Sequence, residues 1–215
     1  MIKGVIFDLD GVLVSTDALH FQAWKRLADE LGITGFTEKD NMRQRGVSRM
    51  ASLEVVLEKS DRAYTQAEKE ELAERKNGYY RELLKDLTPA DLLPGAADTL
   101  KRLRQKGIPI GIGSVSKNTP EILKRTGLDA LVDAVSSGLD ITHSKPHPEV
   151  FLVGARKLDL PTGACLVVED ADAGIEAAKA AGMRALGVGP AAKNPRADYH
   201  ADSLAAPIDW DGILA

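Results

Sequence analysis

Short apolar, β-branched runs recur along this chain, and each stops abruptly at a polar or turn-forming residue. The first covers residues 2–7, closes with Val5-Ile6-Phe7 and ends at Asp8; others fall at 108–112, 132–135 (the weakest), 166–168 and 185–188. Runs of this length without polar alternation predict strands buried on both faces. Between them apolar positions recur at helical spacing over 97–105, 120–125, 148–158 and 173–181. Gly107, Gly127 and Gly182 follow helical patterns, where a left-handed residue is needed to end a helix. Strands alternating with helices predict an α/β fold, a Rossmann-like parallel-sheet core covered on both sides.

Residues 15–91 break that rhythm. They carry no convincing strand and three or four helical patterns: Asp17 is placed to cap a helix bearing Leu19, Ala23, Trp24, Leu27 and Leu31, and Met50, Leu53, Val56 and Leu57 mark a second. Thr65 and Glu68 have capping-box spacing and open a long helix with Leu72, Tyr79, Leu83 and Leu84 on one side. Thr88-Pro89 and Leu93-Pro94-Gly95 punctuate the return. The expected organisation is an α/β core of residues 1–14 and 92–215 with an inserted all-helical cap at 15–91. Neither an internal repeat nor a low-complexity tract interrupts it.

Composition narrows the function classes. Lys plus Arg total 28 and Asp plus Glu 32, a net charge of −4 over 215 residues. A mildly acidic chain is a poor partner for nucleic acid, which demands a basic surface, but it can hold a small phosphorylated ligand with a few local cations. The single cysteine, Cys165, cannot form an intrachain disulfide. Asp8 and Asp10 interrupt the N-terminal run too early for a signal peptide, and no apolar stretch reaches membrane-spanning length, so the expectation is a soluble cytoplasmic protein with no membrane partner. A monomer is expected.

Four polar signals fall where a parallel sheet would expose its carboxyl edge, the edge at which such sheets bind ligands. Asp8-Leu9-Asp10-Gly11 follows the first strand; two carboxylates one residue apart can share a metal ion, and one can attack phosphorus to give an aspartyl phosphate. Taken alone, the same residues make an ordinary turn. Ser114, with Ser116, Lys117 and Asn118 behind it, offers a hydroxyl and amides at a strand-to-helix turn, either an anion cradle or a plain N-cap. Lys145, followed by Pro146, is a point charge for a phosphoryl group or an exposed loop lysine. Glu169-Asp170 ends the fourth run with hard oxygen donors suited to Mg²⁺, or caps the next helix. Together they supply nucleophile, metal ligands, hydroxyl and cation, the set that phosphoryl transfer requires.

The order DxDG, serine, lysine, acidic pair resembles the haloacid dehalogenase superfamily. The likeness to its sugar-phosphate mutase branch covers nearly the whole chain, through FDLDGV (7–12), HFQAWKRLADELGI (20–33), RGVSR (45–49), ERKNGYY (74–80), SVSKN (114–118), SKP (144–146) and EDADAG (169–174). The resemblance implies that Asp8 is the nucleophile and a Mg²⁺ ligand. Asp10 would be the general acid and base and lend its carbonyl to the metal, with Glu169 and Asp170 completing the ligands. Ser114 and Lys145 would hold the transferring phosphoryl group. Arg49, Ser116, Lys117 and Asn118 would bind a second phosphate, His20, Trp24, Gly46, Val47, Ser52 and Lys76 would face the sugar, and Thr16 would sit in the hinge. Read singly, Trp24 and His20 also suit a helix core, and Arg49 and Lys76 a solvated face. Ser15 stands where an aspartate is usual, and Ala171 where a serine is common.

The implied reaction interconverts β-D-glucose 1-phosphate and glucose 6-phosphate through phosphorylated Asp8 and glucose 1,6-bisphosphate. A sugar-phosphate phosphatase with the same core is the alternative, and a non-catalytic sugar-phosphate binding protein the third.

Overall fold

A computed structural model of the chain describes residues 1–44 and 47–215. Two compact units emerge, Met1–Ser15 with Thr88–Ala215, and Thr16–Leu87.

The first unit is a six-stranded, wholly parallel sheet in the order β3-β2-β1-β4-β5-β6. Its strands are β1 (Gly4–Phe7), β2 (Ile110–Gly113), β3 (Ala134–Ser136), β4 (Cys165–Glu169), β5 (Arg184–Val188) and β6 (Tyr199–Ala201). Every residue of β1, β2 and β4 is buried, as expected of strands covered on both faces. The helices of this unit are α5 (Ala96–Gln105), α6 (Thr119–Thr126), α7 (Glu149–Lys157), α8 (Asp172–Ala180) and α9 (Trp210–Leu214). Val150, Phe151 and Ala155 of α7 and Ile175, Ala177 and Ala178 of α8 pack with Ile6, Cys165 and Val167 in one core cluster. Gly107, Gly127 and Gly182 take φ near +70°, ending their helices as the sequence anticipates. β6 escapes sequence reading because Tyr199-His200-Ala201 carries no apolar run; it is a short edge strand completed by pairing with Leu186–Val188.

In the order 3-2-1-4-5-6 the chain's direction of winding reverses between β1 and β4, the switch point at which open sheets form a ligand crevice. Phe7 pairs with Val168 across that junction and with Ile112 on the other side, so Asp8, Glu169 and Ser114 emerge from three adjacent strand ends.

The second unit is helical: α1 (Asp17–Glu30), α2 (Glu38–Met42), α3 (Arg49–Leu57) and α4 (Gln66–Leu84). Trp24, Leu27, Ala28, Leu53, Val56, Leu72 and Ala73 form its core with Ile33 and Phe36. The Thr65–Glu68 capping box is formed, with the Thr65 amide 2.8 Å from the Glu68 carboxylate. Two expectations change. The N-cap of α1 is Thr16, and Asp17 is the first helical residue, in the first turn where its charge suits the helix dipole. On α4 the inward tyrosine is Tyr80, 1% exposed, while Tyr79 points outward and donates to Glu30 at 2.6 Å. The buried stripe runs Leu72, Lys76, Tyr80, Leu84, a strict i, i+4 ladder with a lysine in it.

Candidate active site

Asp8 is the first residue beyond β1. Its amide still donates to the Val168 carbonyl at 2.9 Å, which anchors the backbone while the side chain leaves the sheet. The chain then turns back on itself, the Gly11 amide donating to Val14 at 2.7 Å. Gly11 has φ +87°, and a Cβ there would lie 2.1 Å from an Asp170 oxygen, so both turn and carboxylate demand glycine. Asp10 occupies this turn, half-exposed.

Lys145 ties three segments together. Its ammonium donates to Asp8 Oδ1 and to Glu169 Oε1, each at 2.5 Å, and all three residues are buried. The second Glu169 oxygen accepts the Ala171 amide at 2.8 Å. Each carboxylate oxygen thereby accepts one hydrogen bond, and Glu169 fixes Lys145 while keeping a lone pair on each oxygen. Gly174 permits this: a Cβ there would fall 1.8 Å from Glu169 Oε1.

Charge and burial compete here. Burial pushes the Asp8 carboxyl up to about 7 despite the opposing pull of Lys145, with Glu169 and Asp10 adding to the rise. Asp170 goes up to about 8, by burial first and then by the charges of Asp8 and Glu169. Burial alone would lower Lys145, but Asp8 and Glu169 hold it well above the ordinary lysine range, so it stays charged. One ammonium faces several carboxylates, and the surplus negative charge on hard oxygens fits a small divalent cation such as Mg²⁺.

Ser114 lies just past β2, 4% exposed, its amide donating to Ser136 at 3.0 Å. Its hydroxyl accepts the Ser116 amide at 3.2 Å, and Ser116 in turn accepts the Asn118 amide at 3.1 Å, a ladder that leads into α6 with Asn118 as N-cap. Lys117 is exposed. Sequence reading overlooked Ser136, buried at the end of β3 beside Ser114; a serine closing a short strand offers no signal before the strands are paired.

The helical unit gathers a second polar group. Lys76, 3% exposed, lies 2.7 Å from His20 Nδ1, and its ammonium stands 4.5 Å above the Trp24 ring and 4.8 Å above that of Tyr80. Because the lysine donates, His20 Nδ1 accepts and the imidazole is neutral; burial, then Lys76 and Arg49, lower its pKa well below the usual histidine value. His20 stacks on Tyr80 at 4.0 Å, and Tyr80 donates to Thr16, which is fully buried. Trp24, 1% exposed, is core as well as neighbour to the lysine. Arg49 pairs with Glu74 at 2.9 Å. Ser52 is buried in α3, where its carbonyl accepts from Gln44, and Val47 is half-buried; Gly46 lies outside the described residues.

A 3-2-1-4-5-6 parallel sheet carrying an Asp8–Lys145–Glu169 cluster at its switch point defines an α/β protein with a charged site at the carboxyl edge of its sheet, and a family model says which. The match covers residues 2–182, and the chain belongs to the haloacid dehalogenase-like hydrolases. Within that family it is similar to β-phosphoglucomutase of Bacillus subtilis, 44% identical over 87% of this chain and 83% of the relative. A crystal structure of β-phosphoglucomutase from Clostridium difficile superposes with a TM-score of 0.90 at 36% identity, covering 99% of this chain and 96% of that one. A phosphorylated-carbohydrate phosphatase of Thermotoga maritima is 30% identical over 86% of this chain and 83% of its own.

Proposed function

We propose that this chain is a Mg²⁺-dependent mutase that interconverts β-D-glucose 1-phosphate and glucose 6-phosphate. The observation that carries the reading is the buried Asp8–Lys145–Glu169 cluster at the sheet's switch point, in a chain 44% identical to a β-phosphoglucomutase. Asp8 Oδ attacks phosphorus, the bond to the donor oxygen breaks, and an aspartyl phosphate forms. Asp10 protonates the leaving oxygen, then deprotonates the incoming sugar hydroxyl when phosphate passes on. Lys145, fixed by Glu169, and Ser114 neutralise and orient the moving phosphoryl oxygens. The Asp8 and Asp170 carboxylates and the Asp10 carbonyl would hold Mg²⁺, with Glu169 beside them. The ion would supply charge neutralisation at the transferring group.

A mutase differs from a phosphatase in holding a second phosphate while refusing water. We assign the second phosphate to Arg49, Ser116, Lys117 and Asn118, and the sugar to His20, Trp24, Val47, Ser52, Lys76 and the undescribed Gly46, with Thr16 as hinge. Arg49 would exchange Glu74 for the phosphate.

The test supplies β-glucose 1-phosphate, Mg²⁺ and a trace of glucose 1,6-bisphosphate. Accumulation of glucose 6-phosphate is expected; stoichiometric inorganic phosphate instead would make the chain a phosphatase, the activity of its Thermotoga maritima relative. R49A should slow transfer between sugar phosphates by roughly 10–100-fold, the worth of a charge-assisted hydrogen bond or two, while hydrolysis of small aryl phosphates changes little. Equal losses on both substrates would remove Arg49 from its assigned place.

A further inference from the structure

The loop that delivers Lys145 carries a second set of ligand-type side chains that the phosphoryl-transfer chemistry does not use. His143, His147 and Glu149 each offer one donor atom, and these atoms all lie within 4.8 Å of one another. His143 Nδ1 is 3.1 Å from Glu149 Oε2, the His143 and His147 rings lie 4.6 Å apart, and His147 Nδ1 is 3.3 Å from the Glu149 amide. Both histidines therefore turn Nδ1 toward the start of α7.

Glu149 is the best-placed member. Its carboxylate accepts the amides of His143 at 2.8 Å and Thr142 at 3.1 Å, with the Thr142 hydroxyl at 3.2 Å, so its orientation is set before any ion arrives. Those amide bonds, that of His143 foremost, also hold it below the usual carboxylate range, and it stays anionic.

We propose that His143, His147 and Glu149 form a site for Zn²⁺ that clamps the two ends of the Lys145 loop. Two imidazoles and one carboxylate are a borderline-soft donor set that suits zinc, whereas Mg²⁺ prefers oxygen alone. Bonds of about 2.0–2.1 Å in a tetrahedral site separate neighbouring donors by roughly 3.3 Å. The His143–Glu149 edge already has this length, and the exposed rings need only side-chain rotation to close the rest. Each imidazole takes the Nε2-protonated form and gives its Nδ1 lone pair, His143 releasing its 2.9 Å contact to the Thr142 hydroxyl and His147 the long contact to the Glu149 amide. A water fills the fourth position.

The site differs from the acidic centre in donor chemistry, so the two can be told apart in one experiment. The full chain, stripped of metal, is titrated with zinc chloride in the presence of excess Mg²⁺, followed by calorimetry and by hydrogen exchange of the amides over 142–149. One equivalent of zinc should bind, and exchange over 142–149 should slow. H143Q and H147Q, both at exposed positions, should each weaken zinc binding by about tenfold or more, as expected when one of three ligands is lost. Zinc binding unchanged in the H143Q/H147Q double variant, or fully displaced by Mg²⁺, would overturn the proposal. So would zinc binding that leaves exchange over 142–149 untouched.

Discussion

Each unit of this molecule buries a lysine, and the two sit among different neighbours. Lys145 in the α/β unit faces carboxylates, Asp8 and Glu169, at 2.5 Å each. Lys76 in the helical unit faces the neutral imidazole of His20 and the faces of Trp24 and Tyr80. The first arrangement concentrates negative charge around a cation. The second sets the ammonium against a neutral imidazole and two aromatic faces. The same residue type thus does different work because its neighbours, not its own chemistry, set the local field.

The sharpest way to break this comparison is at Asp8. D8N should lower turnover on the order of 10⁴-fold or more, as removal of a covalent nucleophile does, and should abolish a hydroxylamine-sensitive phosphoenzyme. An adduct that persists in D8N would move the nucleophile elsewhere and empty the α/β half of its meaning.

K145M comes next. It leaves Asp8 and Glu169 buried without their cation, a change that typically costs about 3–5 kcal/mol. Urea unfolding at pH 8 should show that loss; a stability equal to that of the parent chain would mean that Lys145 does not compensate those charges.

The two units should also answer pH with opposite sign. The carboxyls of Asp8 and Asp170 are raised on folding, to about 7 and about 8. The native α/β unit then holds protons that the unfolded chain has lost, and its stability falls as pH rises from about 4 to about 8. The native helical unit, with His20 lowered, excludes a proton that the unfolded chain takes up, so its stability is lost as pH falls below about 6.5. Thermal unfolding in a chelator should therefore be improved at acid pH by H20Q, and added Mg²⁺ should raise the midpoint more at pH 8 than at pH 5. A Mg²⁺ effect independent of pH would sink the carboxylate account.

T65A is the smallest probe. Removing the capping-box hydroxyl that opens α4 should cost about 1 kcal/mol and leave the phosphoenzyme level unchanged. An effect on phosphorylation itself would show that the two halves are less separable than the chemistry suggests.

Much of this was legible before any coordinates. The β-branched run into Asp8, the capping box at Thr65 and the glycines at 107, 127 and 182 are local signals, because strand burial, helix capping and left-handed backbone are each decided within a few residues. The sequence also ordered aspartate, serine, lysine and acidic pair along strand ends, since a parallel sheet aligns all its carboxyl ends on one edge. What it could not decide was partnership. Lys145 lies 137 residues from Asp8 and 24 from Glu169, and only the switch point between β1 and β4 turns those separations into 2.5 Å contacts. Likewise Tyr79 and Tyr80 are equivalent in composition, and the choice of Tyr80 for the interior depends on how α4 is rotated about its own axis when it packs on α1. Local backbone preference sets where elements begin and end; which side chains meet is a property of packing, and packing exists only once the chain has closed on itself.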